Sequence, residues 1–253
     1  MMNTRWTIEH GMSVRRIGEG PELVWIHGLG ESSTSFESSV VALPGFTHVL
    51  PDLPGYGRSA WPTQVVNLDE LASMLAKWLA ERPPAIVIGH SMGGVLALLI
   101  AERAPVRAIV DIEGNLSKGD CTFSGKAVVY SREDFAERGL GELRHWIYEM
   151  GFPDPPLRGY FAAMSMACPD VFHQHALDLV ELSKSEVLAA RLAKLSVPAL
   201  YVAGVPDGIC MRSRALLMEH KVRWVGIEKA AHWVYADQPE QFIKEVTAFL
   251  QGV

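Results

Sequence analysis

The stretch Val87-Ile-Gly-His-Ser-Met-Gly-Gly-Val-Leu-Ala97 decides the fold, because it joins an aliphatic run to a helix-like apolar run through one small serine. Gly89 and Gly93 flank Ser91 and complete the pattern Gly-x-Ser-x-Gly. Between a strand and a helix, this pattern predicts a tight turn that strains the backbone of the serine and exposes its hydroxyl. The turn also places Ser91 at a helix N-terminus, where backbone N–H groups favour negative charge.

Strand and helix patterns alternate outward from this turn. Six short β-rich runs are mostly continuous rather than alternating, as expected of strands covered on both faces. They are ELVWIH (22–27), FTHVLP (46–51), AIVIGH (85–90), RAIVDIE (107–113), PALYVAG (198–204) and VRWVGIE (222–228). Helical apolar spacing appears in the stretches 68–84, 92–105 and 238–251. Two alternating runs, 5–10 and 13–18, predict an antiparallel hairpin at a sheet edge. We therefore expect an α/β fold with a mostly parallel sheet.

One region interrupts the alternation. From about Gly114 to Ser185 the sequence has turn-rich and helical patterns but no strong strand run. We predict a core formed by residues 1–113 and 186–253, with a helical cap inserted at 114–185. The insertion is rich in large apolar side chains, some of which we expect to face a cavity, namely Trp146, Tyr148, Phe152, Tyr160, Phe161, Met164, Met166 and Phe172.

Composition excludes several classes of protein. The chain has 253 residues, 49% of them hydrophobic and 21% charged, which is typical of a globular domain and not of a disordered one. The formal net charge is -6 and no long basic run is present, so a nucleic-acid partner is not expected. No apolar stretch reaches the length of about 18 residues that a membrane span needs.

The cysteines and the first residues suggest a compartment. Cys121, Cys168 and Cys210 are an odd number at wide spacing, which favours free thiols over a disulfide framework or a zinc site. The stretch 1–20 lacks the apolar core of a secretory signal. A cytoplasmic location is expected. We predict neither metal nor cofactor, because the sequence has no P-loop, dinucleotide fingerprint or metal-ligand cluster.

Four further motifs follow the order found in one family. His27-Gly-Leu-Gly30 follows the third strand, Asp52-Leu-Pro-Gly-Tyr-Gly-Arg-Ser59 follows the fourth, Asp207 follows the seventh, and His232 precedes the last helix. With the serine turn, they resemble the α/β-hydrolase family over nearly the whole chain. The resemblance implies a central sheet of about eight strands with helices on both faces and a helical cap.

The resemblance also assigns a catalytic triad. A serine hydroxyl needs a base to accept its proton and an acid to orient that base. Ser91 would be the nucleophile and His232 the base. For the acid, Asp207 matches the usual family position and is preferred, while Glu113, after the strand that follows the nucleophile, is the alternative. Asp111 is expected to lie within that strand.

Other motif residues have supporting roles by the same resemblance. The backbone N–H groups of Leu29 and Met92 would form the oxyanion hole. His27 and His90 are expected to be structural. Asp52 and Arg58 are expected to order their loop.

The implied activity is hydrolysis of a carboxylic ester on a small-molecule substrate, small to medium in size and partly apolar, through an acyl-enzyme on Ser91. Relatives that cleave epoxides or haloalkanes carry aspartate at this position, so those reactions are disfavoured. Carbon–carbon hydrolysis of a ring-cleavage diketone, lactone hydrolysis and thioester hydrolysis stay open. A ligand receptor on the same fold is the non-enzymatic alternative. The sequence does not specify an oligomeric state.

Overall fold

The computed structural model describes residues 4–253. Its strands are β1 (Thr4–Glu9), β2 (Met12–Ile17), β3 (Glu22–Ile26), β4 (Thr47–Asp52), β5 (Ile86–His90), β6 (Ala108–Ile112), β7 (Ala199–Pro206) and β8 (Trp224–Ala230). They form one sheet in the order β1-β2-β4-β3-β5-β6-β7-β8. The pairs β1–β2 and β2–β4 are antiparallel, and the other neighbours are parallel. The predicted edge hairpin and the mostly parallel sheet are confirmed.

Helices surround this sheet. They are α1 (Glu37–Ala42), α2 (Leu68–Ala80), α3 (Met92–Ala101), α4 (Thr122–Ala127), α5 (Arg132–Asp134), α6 (Leu140–Met150), α7 (Pro155–Ala163), α8 (Pro169–Lys184), α9 (Leu188–Ala193), α10 (Met211–Glu219), α11 (Val234–Asp237) and α12 (Pro239–Leu250). Short 3₁₀ turns occupy Ser33–Phe36, Lys118–Asp120 and Met164–Met166, and Phe135–Gly139 is a π-helical stretch between α5 and α6. No helix in residues 4–253 combines the length and the apolar character needed to cross a bilayer.

Local sequence explains the main helices. Asn67 caps α2 in a reciprocal capping box with Glu70, and the leucines of α2 are buried against the core. In α3, every residue from Met92 to Ile100 is buried, because this helix packs directly on β5 and β6. The sequence predicted this all-round burial from the absence of a polar face.

The strand order reverses next to the serine turn. β3 pairs with β5 on one side and with β4 on the other, so the chain crosses over between β4 and β5. In register, Ile26 lies opposite Gly89, and His90 lies opposite Ile112. The carboxyl ends of β3, β5 and β6 therefore meet at one edge, which is the usual position of a binding site in an open α/β sheet.

The chain between β6 and β7 contains helices and no strand in residues 113–198, all of which are described. These helices contact the loop after β4: the N–H of Cys168 donates to the carbonyl of Gly55 over 2.7 Å. Gly55 has φ +85°, and a Cβ there would lie 2.8 Å from Val171, so a residue without a side chain permits the close approach. The division into a core and a cap domain remains a prediction.

Candidate active site

The serine turn has the geometry that its sequence predicts. Ser91 follows β5 with φ 55° and ψ -119°, a strained conformation for a residue with a side chain. Its N–H donates to the carbonyl of Ile112 over 2.8 Å. A Cβ on Gly89 would lie 1.9 Å from the carbonyl oxygen of Gly93, and a Cβ on Gly93 would lie 2.0 Å from that of Ile26. Both glycines are therefore required by close backbone packing.

The predicted oxyanion donors lie on either side of this turn. Met92 directly follows Ser91 and is the first residue of α3, so its N–H has no acceptor within the helix. Leu29 belongs to the loop after β3 and lines the cavity that also contains Ser91. The same loop approaches the serine closely, since a Cβ on Gly28 would lie 3.2 Å from the Cβ of Ser91.

His232, in the loop after β8, contacts the carboxylate of the residue that directly follows β6. Its Nδ1 lies 3.4 Å from Oε2 of Glu113. Because a carboxylate only accepts, Nδ1–H is the donor and Nε2 is left for another partner. Glu113 is 1% exposed, and its Oε1 accepts from the N–H of Gly204 over 2.6 Å and that of Ile209 over 3.3 Å. Burial raises the pKa of Glu113, and the hydrogen bond and charge of His232 oppose that shift.

The structure places the two candidate acids differently, and both assignments remain predictions. Asp207 is exposed, and in the described chain no hydrogen bond joins its carboxylate to His232. The loop after β7 instead brings Gly208 over the Glu113 carboxylate, where a Cβ would lie only 2.3 Å from Oε1. Glu113 has φ 55°, which turns the chain sharply at the end of β6. Glu113, the alternative acid, is therefore the one beside the imidazole of His232. Asp111 lies within β6, as expected.

A buried ion pair, missed by sequence reasoning, lies behind these residues. Nδ1 of His90 lies 3.0 Å from Oε2 of Glu31, and Nε2 of His90 lies 2.9 Å from the carbonyl oxygen of His232. Both partners are acceptors, so both ring nitrogens of His90 carry protons and the ring is charged. Burial lowers the pKa of His90, but the charge and hydrogen bond of Glu31 outweigh burial and raise it.

Glu31 joins three loops. Its Oε2 accepts from the N–H of Gly28 over 2.8 Å, and its Oε1 accepts from Nε1 of Trp233 over 2.6 Å. Burial raises the pKa of Glu31, but the charge of His90 and these hydrogen bonds together lower it to about 2. One feature of the sequence could have indicated this buried acid: Glu31 is the single acidic residue in the polar run Glu31-Ser-Ser-Thr-Ser35, next to the Gly-Leu-Gly loop.

The remaining motif residues order the loops, as predicted. His27 is buried; its Nδ1 donates to the carbonyl of Gly28, and its Nε2 accepts from the N–H of Leu53. Burial lowers the pKa of His27, which favours this neutral form. The two oxygens of Asp52 accept from the N–H groups of Ser33 and Arg58.

Ser91, His232 and Glu113 line one cavity of about 270 Å³. Its walls come from the loops after β3, β5, β6, β7 and β8 and from the helices between β6 and β7. Aromatic side chains form much of the surface: Phe123, Trp146, Tyr160 and Trp233. Of the eight large apolar residues that the sequence analysis named in the insertion, Trp146 and Tyr160 line this cavity, whereas Tyr148, Phe152 and Met166 are exposed. Cys121, Cys168 and Cys210 are free thiols.

Comparison with known proteins decides the family. The sequence model of the alpha/beta hydrolase family matches residues 23–245. The chain belongs to the alpha/beta hydrolase family. This alpha/beta hydrolase is 31% identical to a pimeloyl-(acyl-carrier protein) methyl ester esterase of Pectobacterium atrosepticum, over 91% of this chain and 94% of the relative. An esterase of the same description from Aeromonas hydrophila is 26% identical over 94% of this chain and 99% of its own.

Solved structures show the same fold. The enol-lactonase of Burkholderia xenovorans superposes with a TM-score of 0.77 at 18% identity, covering 99% of this alpha/beta hydrolase and 100% of the lactonase. The two curated relatives are ester hydrolases, and they support hydrolysis of an ester by this chain.

Proposed function

We propose that the protein is a serine hydrolase that cleaves a carboxylic ester through an acyl-enzyme intermediate. The observation that carries the proposal is the convergence on one cavity of a strained serine, Ser91, and a histidine, His232, whose Nδ1 contacts the buried carboxylate of Glu113. These are the three roles that nucleophilic catalysis by a serine requires.

The proposed reaction has two halves. Ser91 Oγ attacks the ester carbonyl carbon, and Nε2 of His232 accepts the hydroxyl proton. The N–H groups of Leu29 and Met92 stabilise the oxyanion of the tetrahedral intermediate. Collapse of this intermediate breaks the bond to the alcohol oxygen, and His232 returns the proton to the leaving alcohol.

Water then completes the cycle. His232 takes a proton from a water molecule, whose oxygen attacks the acyl carbonyl carbon to form a second tetrahedral intermediate. This intermediate collapses by breaking the bond between the acyl carbon and Oγ of Ser91, His232 returns the proton to Oγ, and the carboxylic acid leaves. Glu113, in place of Asp207, holds Nδ1–H of His232 and stabilises the imidazolium that forms in each half. The carboxylate of Glu113 can hold the ring firmly, because two backbone N–H groups fix its other oxygen.

The proposed substrate is an ester of a small alcohol with an aliphatic or aromatic acyl group. The aromatic walls of the cavity suit an apolar acyl chain, and the volume suits a small to medium one. Both curated relatives bear the name of a methyl ester esterase, which favours an ester over a ring-cleavage diketone or a lactone.

Labelling with a fluorophosphonate tests the proposal. A single adduct is expected in the intact mass of the protein, mapping to Ser91 after digestion, together with turnover of 4-nitrophenyl butyrate. Ser91→Ala should lose both signals. The matched control is Ser165→Ala, which removes an exposed hydroxyl outside the cavity and should keep both. An unlabelled wild-type protein without esterase turnover would contradict the proposal and favour a ligand receptor.

A further inference from the structure

A second cavity lies beside the one that contains Ser91. It has a volume of about 320 Å³ and is lined by the loop after β3, by α7 and by residues around α11. Four residues line both cavities and therefore form the boundary between them: Glu31, Pro156, Tyr160 and Trp233. Neither Ser91 nor His232 lines the second cavity, so the proposed reaction leaves it unused.

Two aromatic rings form much of this boundary. The ring centroids of Tyr160 and Trp233 lie 5.4 Å apart. Nε1 of Trp233 donates to Oε1 of Glu31 over 2.6 Å, which fixes the indole. The hydroxyl of the buried Tyr160 makes no hydrogen bond to another residue in 4–253. The ring of Tyr160 is therefore held by packing alone and is the part of the boundary that a ligand can displace.

The wall of the second cavity suits an uncharged ligand. Its one carboxylate, Glu31, is already balanced by His90 at 3.0 Å. None of the lining residues, all of them within 4–253, is Lys or Arg, and Thr34, Ser35 and Tyr235 add hydroxyl groups without charge. Small apolar side chains supply much of the rest: Pro155, Pro156, Ala163 and Ala236. Such a wall offers no opposite charge to an ionised group, and it can remove an aliphatic chain from water.

A glycine in α7 leaves part of this space open. Gly159 lies inside the helix without a positive φ, and a Cβ there would meet no atom of another described element within 4 Å. Neither the backbone conformation nor close packing requires glycine here, and glycine is unfavourable inside a helix. Because Gly159 lines the second cavity, its missing side chain adds to the room available to a ligand.

The second cavity extends from the boundary to the protein surface. Tyr160 and Trp233 are buried at its inner end, whereas Thr34 and Ala236 are exposed. In the proposed reaction, the leaving alcohol oxygen must reach Nε2 of His232, which lines the first cavity only. The acyl chain is therefore the part of the ester that is free to extend across the boundary.

We propose that the second cavity binds the distal part of an aliphatic acyl chain that crosses the boundary beside Tyr160, and that the substrates are esters of medium-length, straight-chain, uncharged acids. This inference rests on the proposed esterase function and specifies the acyl group. A short acyl chain occupies the first cavity alone. Each further methylene that enters the second cavity leaves water, which should raise kcat/KM by up to about fourfold.

A series of 4-nitrophenyl esters tests the inference: butyrate, hexanoate, octanoate, decanoate and dodecanoate, each below its aggregation concentration. For the wild type, kcat/KM should rise along the series, with dodecanoate about tenfold or more above butyrate. Gly159→Phe places a ring in the second cavity and should lower the ratio of dodecanoate to butyrate by about tenfold. Gly141→Phe is the matched control, since its Cβ also meets nothing within 4 Å and it lies outside both cavities; the ratio should not change.

Ala236→Trp fills the second cavity from the opposite wall and serves if Gly159→Phe does not fold. It should lower the same ratio, because it blocks the exposed end of the cavity. A thermal unfolding transition shows that each variant is folded. Unchanged ratios in both folded variants, or a wild type whose kcat/KM does not rise beyond butyrate, would overturn the inference and leave the esterase function intact.

Butyrate esters of methanol, butanol and octanol test the choice of the acyl chain over the alcohol. Gly159→Phe should not alter the ratio of octyl to methyl butyrate. A loss of that ratio, with the dodecanoate ratio unchanged, would show that the second cavity takes the alcohol and would contradict the proposal. Failure of every ester, with no fluorophosphonate adduct on Ser91, would instead overturn the proposed function. The two failures are therefore distinguishable.

Discussion

Oε2 of Glu31 lies 3.0 Å from Nδ1 of His90, and both side chains are almost completely buried next to Ser91. The pair is built into the site, since Glu31 also accepts from the loop after β3 and His90 also donates to the backbone of His232. Its hydrogen bonds therefore join the loops that carry Ser91, His232 and Leu29, whose N–H is a proposed oxyanion donor.

Glu31→Gln should destabilise the protein strongly. The substitution keeps the shape of the side chain but leaves the imidazolium of His90 buried without its counter-charge, which typically costs about 3 to 5 kcal/mol. Urea denaturation near pH 6 measures the change in the free energy of unfolding. Glu133→Gln, an exposed change of the same type, should alter it by less than about 0.5 kcal/mol. A loss below about 1 kcal/mol for Glu31→Gln would show that the pair is not charged.

The contribution of the same pair should depend on pH in a defined window. The pKa of Glu31 is lowered to about 2 from 4.5, so its stabilisation is present above pH 4.5 and is lost as the pH falls toward 2. The pKa of His90 is raised above 6.5, so its stabilisation is present below pH 6.5 and is lost as the pH rises through the higher value.

The measurement compares wild type with the neutral double variant Glu31→Gln/His90→Asn. The difference between their free energies of unfolding should be largest from pH 4.5 to 6.5 and smaller on both sides. A difference that stays constant across the pH range would contradict a charged pair.

Glu113→Gln and Asp207→Asn distinguish the two candidate acids. Glu113→Gln removes the charge that contacts Nδ1 of His232, and loss of a triad acid reduces kcat by about 10⁴-fold. Asp207→Asn should reduce kcat on 4-nitrophenyl butyrate by less than about tenfold, because its carboxylate lies in solvent. The opposite order would restore the assignment expected from the family's usual position.

Gly93→Ala should disrupt the serine turn through backbone contact alone. The new Cβ would lie 2.0 Å from the carbonyl oxygen of Ile26, a rigid strand atom. We expect a loss of about 3 kcal/mol or more, at the upper end of overpacking effects. Gly141→Ala is the matched control: its Cβ meets nothing within 4 Å in α6, and it should stabilise by about 0.5 to 1 kcal/mol. Equal thermal midpoints for the two variants would contradict this account.

The sequence predicted the fold well because its signals are local. Continuous aliphatic runs, helical spacing and the glycines around Ser91 each specify the structure of their own segment, and the order of the segments specifies the sheet. The same holds for the loop-ordering roles of Asp52 and His27, which depend on neighbours near the ends of β3 and β4.

The choice of acid and the buried pair could not be predicted in this way. Whether Glu113 or Asp207 reaches His232 depends on the sign of φ at the end of β6 and on the path of the loop after β7, and neither follows from local composition. Glu31 is buried by contacts with His90, Trp233 and Tyr235. The last two lie 202 and 204 positions further along the chain. A charged residue in a polar loop is normally exposed, so only the tertiary structure identifies it.

Ser91 and Glu113 both have a positive φ that residues with a side chain rarely adopt, each 55°, at the end of adjacent parallel strands. Such residues cost about 1 to 3 kcal/mol each in the folded protein. Glycine would relieve that cost at either position. A selection for heat resistance alone, with no assay of activity, would therefore favour variants that replace Ser91 and Glu113, the two proposed catalytic residues. A threonine nucleophile is equally disfavoured, because branching at Cβ does not fit this turn.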